Sequence, residues 1–191
     1  MFAHGSGSSR HSKRNQFVAL TVRESGVGTL LIDLLTQEEA AVDIHTAHLR
    51  FDIDLLARRL VDATDWVKRE HHDLRVGYFG SSTGGAGALR AAAVLGEEIA
   101  AVVSRGGRAD LAGSALTQVR SPTLLIVGGF DYPVIEINAA ALLRLRCEKE
   151  LKIVPGATHL FEEPGALERV ADLSADWFKR HLVALAEEEE Q

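Results

Sequence analysis

Short apolar runs, each closed by a glycine-rich or polar turn and followed by a longer amphipathic stretch, recur along this chain. That rhythm constrains its fold more than any other feature. The runs are 29–34 (TLLIDL), 75–79 (RVGYF), 100–104 (AAVVS), 123–127 (TLLIV) and 151–154 (LKIV), and residues 1–3 read as the stump of a sixth. Continuous rather than alternating apolar runs are what a strand buried on both faces requires. The stretches between them, 14–25, 52–71, 84–95, 110–119, 134–145 and 164–185, are predicted to be helices. In the second, Leu55, Leu56, Leu60, Val61 and Val67 fall on one helical face. In the last, Leu167, Val170, Ala171, Leu173, Trp177, Phe178 and Leu182 do the same. Strand and helix in alternation predict an α/β class fold of about six mostly parallel strands, with helices on both faces.

No internal repeat or linker divides the 191 residues, so 1–185 is expected to form one domain and 186–191 an acidic, disordered tail. The net charge of −6 and the scattered basic residues leave no broad footprint for nucleic acid. No apolar run is long enough to span a bilayer, and the N-terminus lacks the basic and apolar regions of a secretory signal. With one cysteine, Cys147, no intrachain disulfide can form, and a cytoplasmic location is expected.

In an open parallel sheet, ligands bind beyond the carboxyl ends of the strands. The segments to read for chemistry are therefore 4–12, 35–40, 80–85, 105–108, 128–134 and 155–163. After the 75–79 run comes Gly80-Ser81-Ser82-Thr83-Gly84, which fits G-x-S-x-G with Ser82 at its centre. A strand that turns at once into a helix strains the backbone of the central serine, and side chains two residues away on either side would collide. Ser81 does not fit, because Phe79 would take its first glycine position. The pentapeptide could also be a packing turn or a phosphate cradle, although the Lys-Ser/Thr of a P-loop and a G-x-G-x-x-G spacing are both missing.

Asp131 follows the 123–127 run and His159 follows the 151–154 run. Serine, then acid, then histidine, each after a separate strand, is the chain order of α/β-hydrolase sites. A serine hydroxyl needs a base to take its proton, and an imidazole needs a carboxylate to fix its tautomer. The plainer readings are a helix N-cap for Asp131 and a loop histidine for His159. The loop His4-Gly5-Ser6-Gly7-Ser8-Ser9 could aim the Ser6 amide, beside that of Thr83, at a developing oxyanion. Arg105 and Arg108 stand past a strand end, where a guanidinium could clamp an anionic group. The plainer reading is a salt bridge, with Asp110 as a candidate partner. Glu38 and Glu39 read as a helix start. His45 and His48 have no third ligand near them, so they read as surface residues and no metal is expected.

Taken together, His4 to Ser8, Gly80 to Gly85, Val127 to Asp131 and Val154 to Phe161 resemble the dienelactone-hydrolase-like branch of the α/β-hydrolases. They resemble in particular its small bacterial members, found alone or fused to phosphoribosyltransferase domains. The resemblance covers nearly the whole chain. It implies a three-layer α/β-hydrolase fold without a cap domain, no cofactor, and the roles given above for Ser82, Asp131 and His159, with Phe161 near the substrate. Two departures stand out. Dienelactone hydrolases proper use a cysteine nucleophile where this chain has Ser82, which points to ordinary ester hydrolysis. Family members also usually carry one or two strands before the oxyanion loop. Their absence here suggests a truncated start and a strand order of 4-3-5-6-7-8 in the family's numbering, with the 29–34 strand as an exposed edge able to pair in a homodimer.

Only 105–122 separates two strands at the place where many lipases insert a cap, so an open site for small soluble esters is expected. Two other readings stay open: a thioesterase or other acyl hydrolase with the same residues, and a non-catalytic ligand-binding protein on a hydrolase scaffold.

Overall fold

The computed structural model describes residues 1–183. Six strands form one sheet: β1 (Phe2–Ala3), β2 (Leu31–Ile32), β3 (Val76–Ser81), β4 (Ile99–Arg105), β5 (Thr123–Gly128) and β6 (Lys149–Val154). All pairings are parallel, in the order β2-β1-β3-β4-β5-β6. Six α-helices connect them: α1 (Lys13–Glu24), α2 (Gln37–Thr46), α3 (Ile53–Glu70), α4 (Thr83–Leu95), α5 (Tyr132–Arg144) and α6 (Ala166–Phe178).

Adjacent residues on the central strands feed opposite faces, as the pleat demands. Tyr78, Val102 and Leu125 join Leu56, Leu60 and Leu89 in a core under α3 and α4. Phe79, Val103 and Ile126 join Phe2, Val18, Val170 and Trp177 in a second core under α1 and α6. Each fully buried side chain of this size contributes about 1.5–3 kcal/mol. The two cores sandwich β3 and β4, whose carboxyl ends lie where the chemistry is expected.

The structure departs from the sequence reading in four places. The 29–34 run pairs only through Leu31 and Ile32, because it lies at the sheet edge and its one neighbour, β1, is itself two residues long. The 110–119 segment is a 3-10 stretch, Ala109–Gln118, broken at Gly113 (φ 58°). Helix α2 was not among the expected helices, although Glu38 and Glu39 do start it. Thr36 Oγ1 accepts from the Glu39 amide at 3.2 Å, and Glu39 Oε2 accepts from the Thr36 amide at 2.8 Å. Helix α6 ends at Phe178 and runs on as a π-helical turn, Lys179–Val183. The last two residues of the expected helix and the 186–191 tail lie outside the described residues.

Candidate active site

Ser82 sits between β3 and α4 with φ 51° and ψ −120°, a conformation an L-residue adopts only when its surroundings force it. Three backbone bonds do so. The Ser82 amide donates to Arg105 O at 3.1 Å, and Ser82 O accepts from the amides of Gly85 (3.0 Å) and Arg108 (3.1 Å). The flanking glycines are obligatory. A Cβ on Gly80 would lie 2.5 Å from Gly84 O, and one on Gly84 would lie 2.4 Å from Ala3 O. Ser81, only 2% exposed, turns inward. Ser82 is half-buried and stands just past the carboxyl end of β3.

Asp131 occupies the N-cap position of α5, yet its carboxylate makes no capping bond. Instead Oδ2 accepts from Nδ1 of His159 at 2.6 Å. A carboxylate can only accept, so the proton sits on Nδ1 and Nε2 is left as the basic nitrogen. The two loops are locked to each other. The Phe130 amide donates to Ala157 O at 2.9 Å, Gly129 donates to Val154 O at 2.8 Å, and a Cβ on Gly128 would meet Ala157 O at 2.5 Å. The Asp131 side chain is 12% exposed and that of His159 40%, so the ring is open to solvent while its partner is largely covered. The Ser82 hydroxyl is not hydrogen-bonded to the ring. What joins them is the Arg105–Gly106 peptide: Arg105 O accepts from Ser82, and a Cβ on Gly106 would lie 3.3 Å from Cε1 of His159.

The loop after β1 packs onto Ser82. A Cβ on Gly5 would lie 3.1 Å from Ser82 Cβ. The buried His4 ring pins that loop, with Nδ1 donating to Gly5 O at 2.9 Å and Nε2 accepting from the Leu34 amide at 3.0 Å. Accepting at Nε2 needs neutral imidazole, and burial lowers the His4 pKa accordingly. Ser6 is exposed beside this contact. Thr83 is the first residue of α4, so its amide has no partner within the helix. A cavity of about 530 Å³ opens next to Ser6 and Thr83, with Leu34, Ile44 and Arg50 in its far wall. Arg50 is held there by the buried Asp43, whose Oδ2 accepts from Nε at 2.5 Å. Sequence reading missed this wall. The signal that could have found it is the Thr36–Glu39 capping box.

The three residues expected near the substrate have different fates. Arg108 is held from both sides by Asp110, at 2.9 and 2.7 Å. Those bonds raise the arginine pKa and lower that of the aspartate. Arg105 is buried with its guanidinium 5.8 Å from the centre of the Phe161 ring. Burial, and then the nearby charge of Arg14, push its pKa down to about 10. Phe161 is buried at φ 55°. His45 and His48 are exposed, and among the described residues no group of three potential metal ligands comes together.

This parallel sheet, with a serine at a strained strand–helix turn and a carboxylate–imidazole pair past the last two strands, defines an α/β hydrolase. The chain is 61% identical to a dienelactone hydrolase from Anabaena variabilis. The match covers 95% of this chain and 85% of that one, with a TM-score of 0.93. The chain belongs to the dienelactone hydrolase family. It is also 55% identical, over 184 residues, to proteins from two Mycobacterium tuberculosis strains that bear the name phosphoribosyl transferase. The match takes in 95% of this chain but 41% of theirs, so the chain spans about two fifths of the length of those curated relatives. Est1E from Butyrivibrio proteoclasticus shares the fold at 17% identity, covering 94% of this chain and 86% of that one with a TM-score of 0.78. No family model matches the chain. No helix among the described residues is long and apolar enough to cross a membrane.

Proposed function

We propose that this chain is a serine hydrolase that cleaves small carboxylic esters through an acyl-enzyme on Ser82. The observation that carries this reading is the 2.6 Å bond from His159 to Asp131, made by loops on two strands beside the strained turn that presents Ser82. His159 Nε2 takes the hydroxyl proton as Ser82 Oγ bonds to the ester carbonyl carbon. The carbonyl electron pair moves onto oxygen, where the amides of Ser6 and Thr83 stabilise it. The bond to the alcohol then breaks and the imidazolium protonates the leaving alkoxide. Water, deprotonated by the same nitrogen, attacks the acyl-enzyme and returns Ser82 with a free acid. Asp131 keeps the tautomer and offsets the transient positive charge. The Ser82 hydroxyl, which makes no bond to the ring in the free protein, is expected to close onto His159 Nε2 when substrate binds.

Between β4 and β5 the only structured insertion is the 3-10 stretch, so among the described residues no cap is inserted there over the site. This favours small, soluble esters. We read the transferase name of the longer relatives as belonging to the part of them outside the match, and a cytoplasmic setting fits the single thiol, Cys147. A homodimer through β2 would have only Leu31 and Ile32 to pair, and a strict monomer in light scattering would dismiss it.

The experiment for the main reading is a stopped-flow burst with p-nitrophenyl acetate. One equivalent of p-nitrophenol is expected in the burst, and none from Ser82→Ala. Turnover that survives in Ser82→Ala would refute the reading. Faster turnover of a matched thioester would move it to a thioesterase.

A further inference from the structure

The loop 105–108 at the end of β4 touches both halves of the site. Arg105 O accepts from the Ser82 amide and the Arg108 amide donates to Ser82 O, each at 3.1 Å, while Gly106 rests against the His159 ring. The loop therefore bridges the nucleophile turn and the imidazole, and its own anchoring decides how sharply the two are placed. On the β5 side the Gly106 amide donates to Ile126 O at 2.7 Å. On the α4 side Gly107 packs beside Gly85, where a Cβ on Gly85 would lie 3.1 Å from the Gly107 Cα. A Cβ on Gly107 itself would overlap Ser104 Oγ. The Gly107 carbonyl is held from a third side, by Asn138 on α5.

Asn138 stands about two turns beyond Asp131 on the same helix and is fully buried. Its Nδ2 donates to Gly107 O at 2.9 Å and to Val134 O, one turn back on α5, at 2.8 Å. Both partners are carbonyls, so only the NH2 end of the amide can face them. The bond to Val134 aims the side chain, and the second proton then points across to the loop. Oδ1 is left buried without a partner. An unmet buried acceptor costs stability, and asparagine favours a helix interior less than leucine does. A leucine here would avoid both costs but would leave Gly107 untied. One helix thus carries the carboxylate that grips one side of the imidazole and, through Asn138, the backbone on which the other side rests. We propose that Asn138 is a positioning residue, which ties the loop 105–108 to α5 and so holds Ser82 and His159 at their working separation. It touches neither substrate nor the reacting atoms. Its meaning for catalysis rests on the Ser82 reading, whereas the tie between α5 and the loop does not.

Two measurements test it. The first is steady-state kinetics on p-nitrophenyl acetate with wild type, Asn138→Leu, Gly106→Ala and the double variant, each checked for folding by a thermal melt. Asn138→Leu is expected to lose about tenfold or more in kcat with little change in KM, because placement is lost and binding surface is not. In the double variant the untied loop gives the methyl group added by Gly106→Ala room to move back, so the two losses should not multiply. Unchanged kcat in Asn138→Leu, or losses that multiply, overturns the proposal. Asn138→Ser keeps a hydroxyl that can bond to Val134 O but is too short for Gly107 O. It should share the kcat loss, and it serves should the leucine variant fail to fold. The second measurement is amide hydrogen exchange by NMR. The Gly106 and Arg108 amides should exchange about tenfold or more faster in Asn138→Leu than in wild type, with the β5 amides unchanged. Unchanged protection of the two loop amides overturns the proposal. If Ser82→Ala still hydrolyses esters, the Ser82 reading fails alone, and the exchange still decides whether Asn138 holds the loop.

Discussion

Gly106 lies against the imidazole of His159: a Cβ built on it would stand 3.3 Å from Cε1 and 3.4 Å from Nδ1, and its φ is +53°. The ring is thus fixed on one side by backbone and on the other by Asp131. Gly106→Ala would push the ring and strain a left-handed position at once. We expect kcat on p-nitrophenyl acetate to fall by about ten- to a hundredfold with a smaller change in KM, since sub-ångström misplacement of a reacting group is felt mainly in the chemical step. Equal kinetics for Gly106→Ala and wild type would show that the ring is not held there during turnover.

Asp131→Asn keeps the size of the side chain but lets it donate to Nδ1, so the proton is driven to the nitrogen that must be free. The proposed mechanism then loses on the order of a thousandfold or more in kcat while the fold persists. Steady-state kinetics beside a thermal melt would separate this from unfolding. A loss below tenfold would return Asp131 to a merely structural role.

His4 supplies a pH dependence of stability. Its folded pKa lies below the ordinary 6.5 because burial disfavours the imidazolium. Below pH 6.5 the unfolded chain takes up a proton that the folded one resists, so stability is full above that pH and falls as pH drops through it. Melting temperatures between pH 7.5 and 5.5 should therefore decline. The decline should be shallower in His4→Gln, which can still accept from the Leu34 amide but does not titrate. Parallel curves would remove His4 from the account. Its acid release would also free the loop that carries Ser6.

An uncapped site should discriminate against long acyl chains. With p-nitrophenyl esters of two, four, eight and sixteen carbons, kcat/KM is expected to drop by about tenfold or more from the four- to the sixteen-carbon ester, for want of a cap to shield the tail from water. Faster turnover of the longest ester would contradict an open site.

What could be read from the chain alone follows from where each signal is stored. Val76–Ser81, Ile99–Arg105 and Thr123–Gly128 are buried on both faces, so their apolar runs announced them. The meeting of Asp131 with His159 across 28 residues followed from placing both just past adjacent parallel strands. The surroundings of the site were harder to read. Helix α2 has little apolar face, and only Thr36 and Glu39 mark its start. Strand β2 is shortened by the two-residue strand it must pair with, a property of its neighbour and not of its own sequence. The break at Gly113 turns on a backbone dihedral that a glycine permits but does not compel. The isolation of Arg105 was invisible too. Sequence shows a charge near a strand end, whereas only packing shows that its donors are left without acceptors.

The central claim is that Ser82 is an activated nucleophile. The most direct measurement is reaction of the intact protein with a fluorophosphonate probe, followed by peptide mapping in a mass spectrometer. The account predicts a single adduct on Ser82, formed within minutes at neutral pH and abolished in His159→Ala. An unlabelled protein, or an adduct on Ser6 or Ser81 with Ser82 untouched, would contradict it.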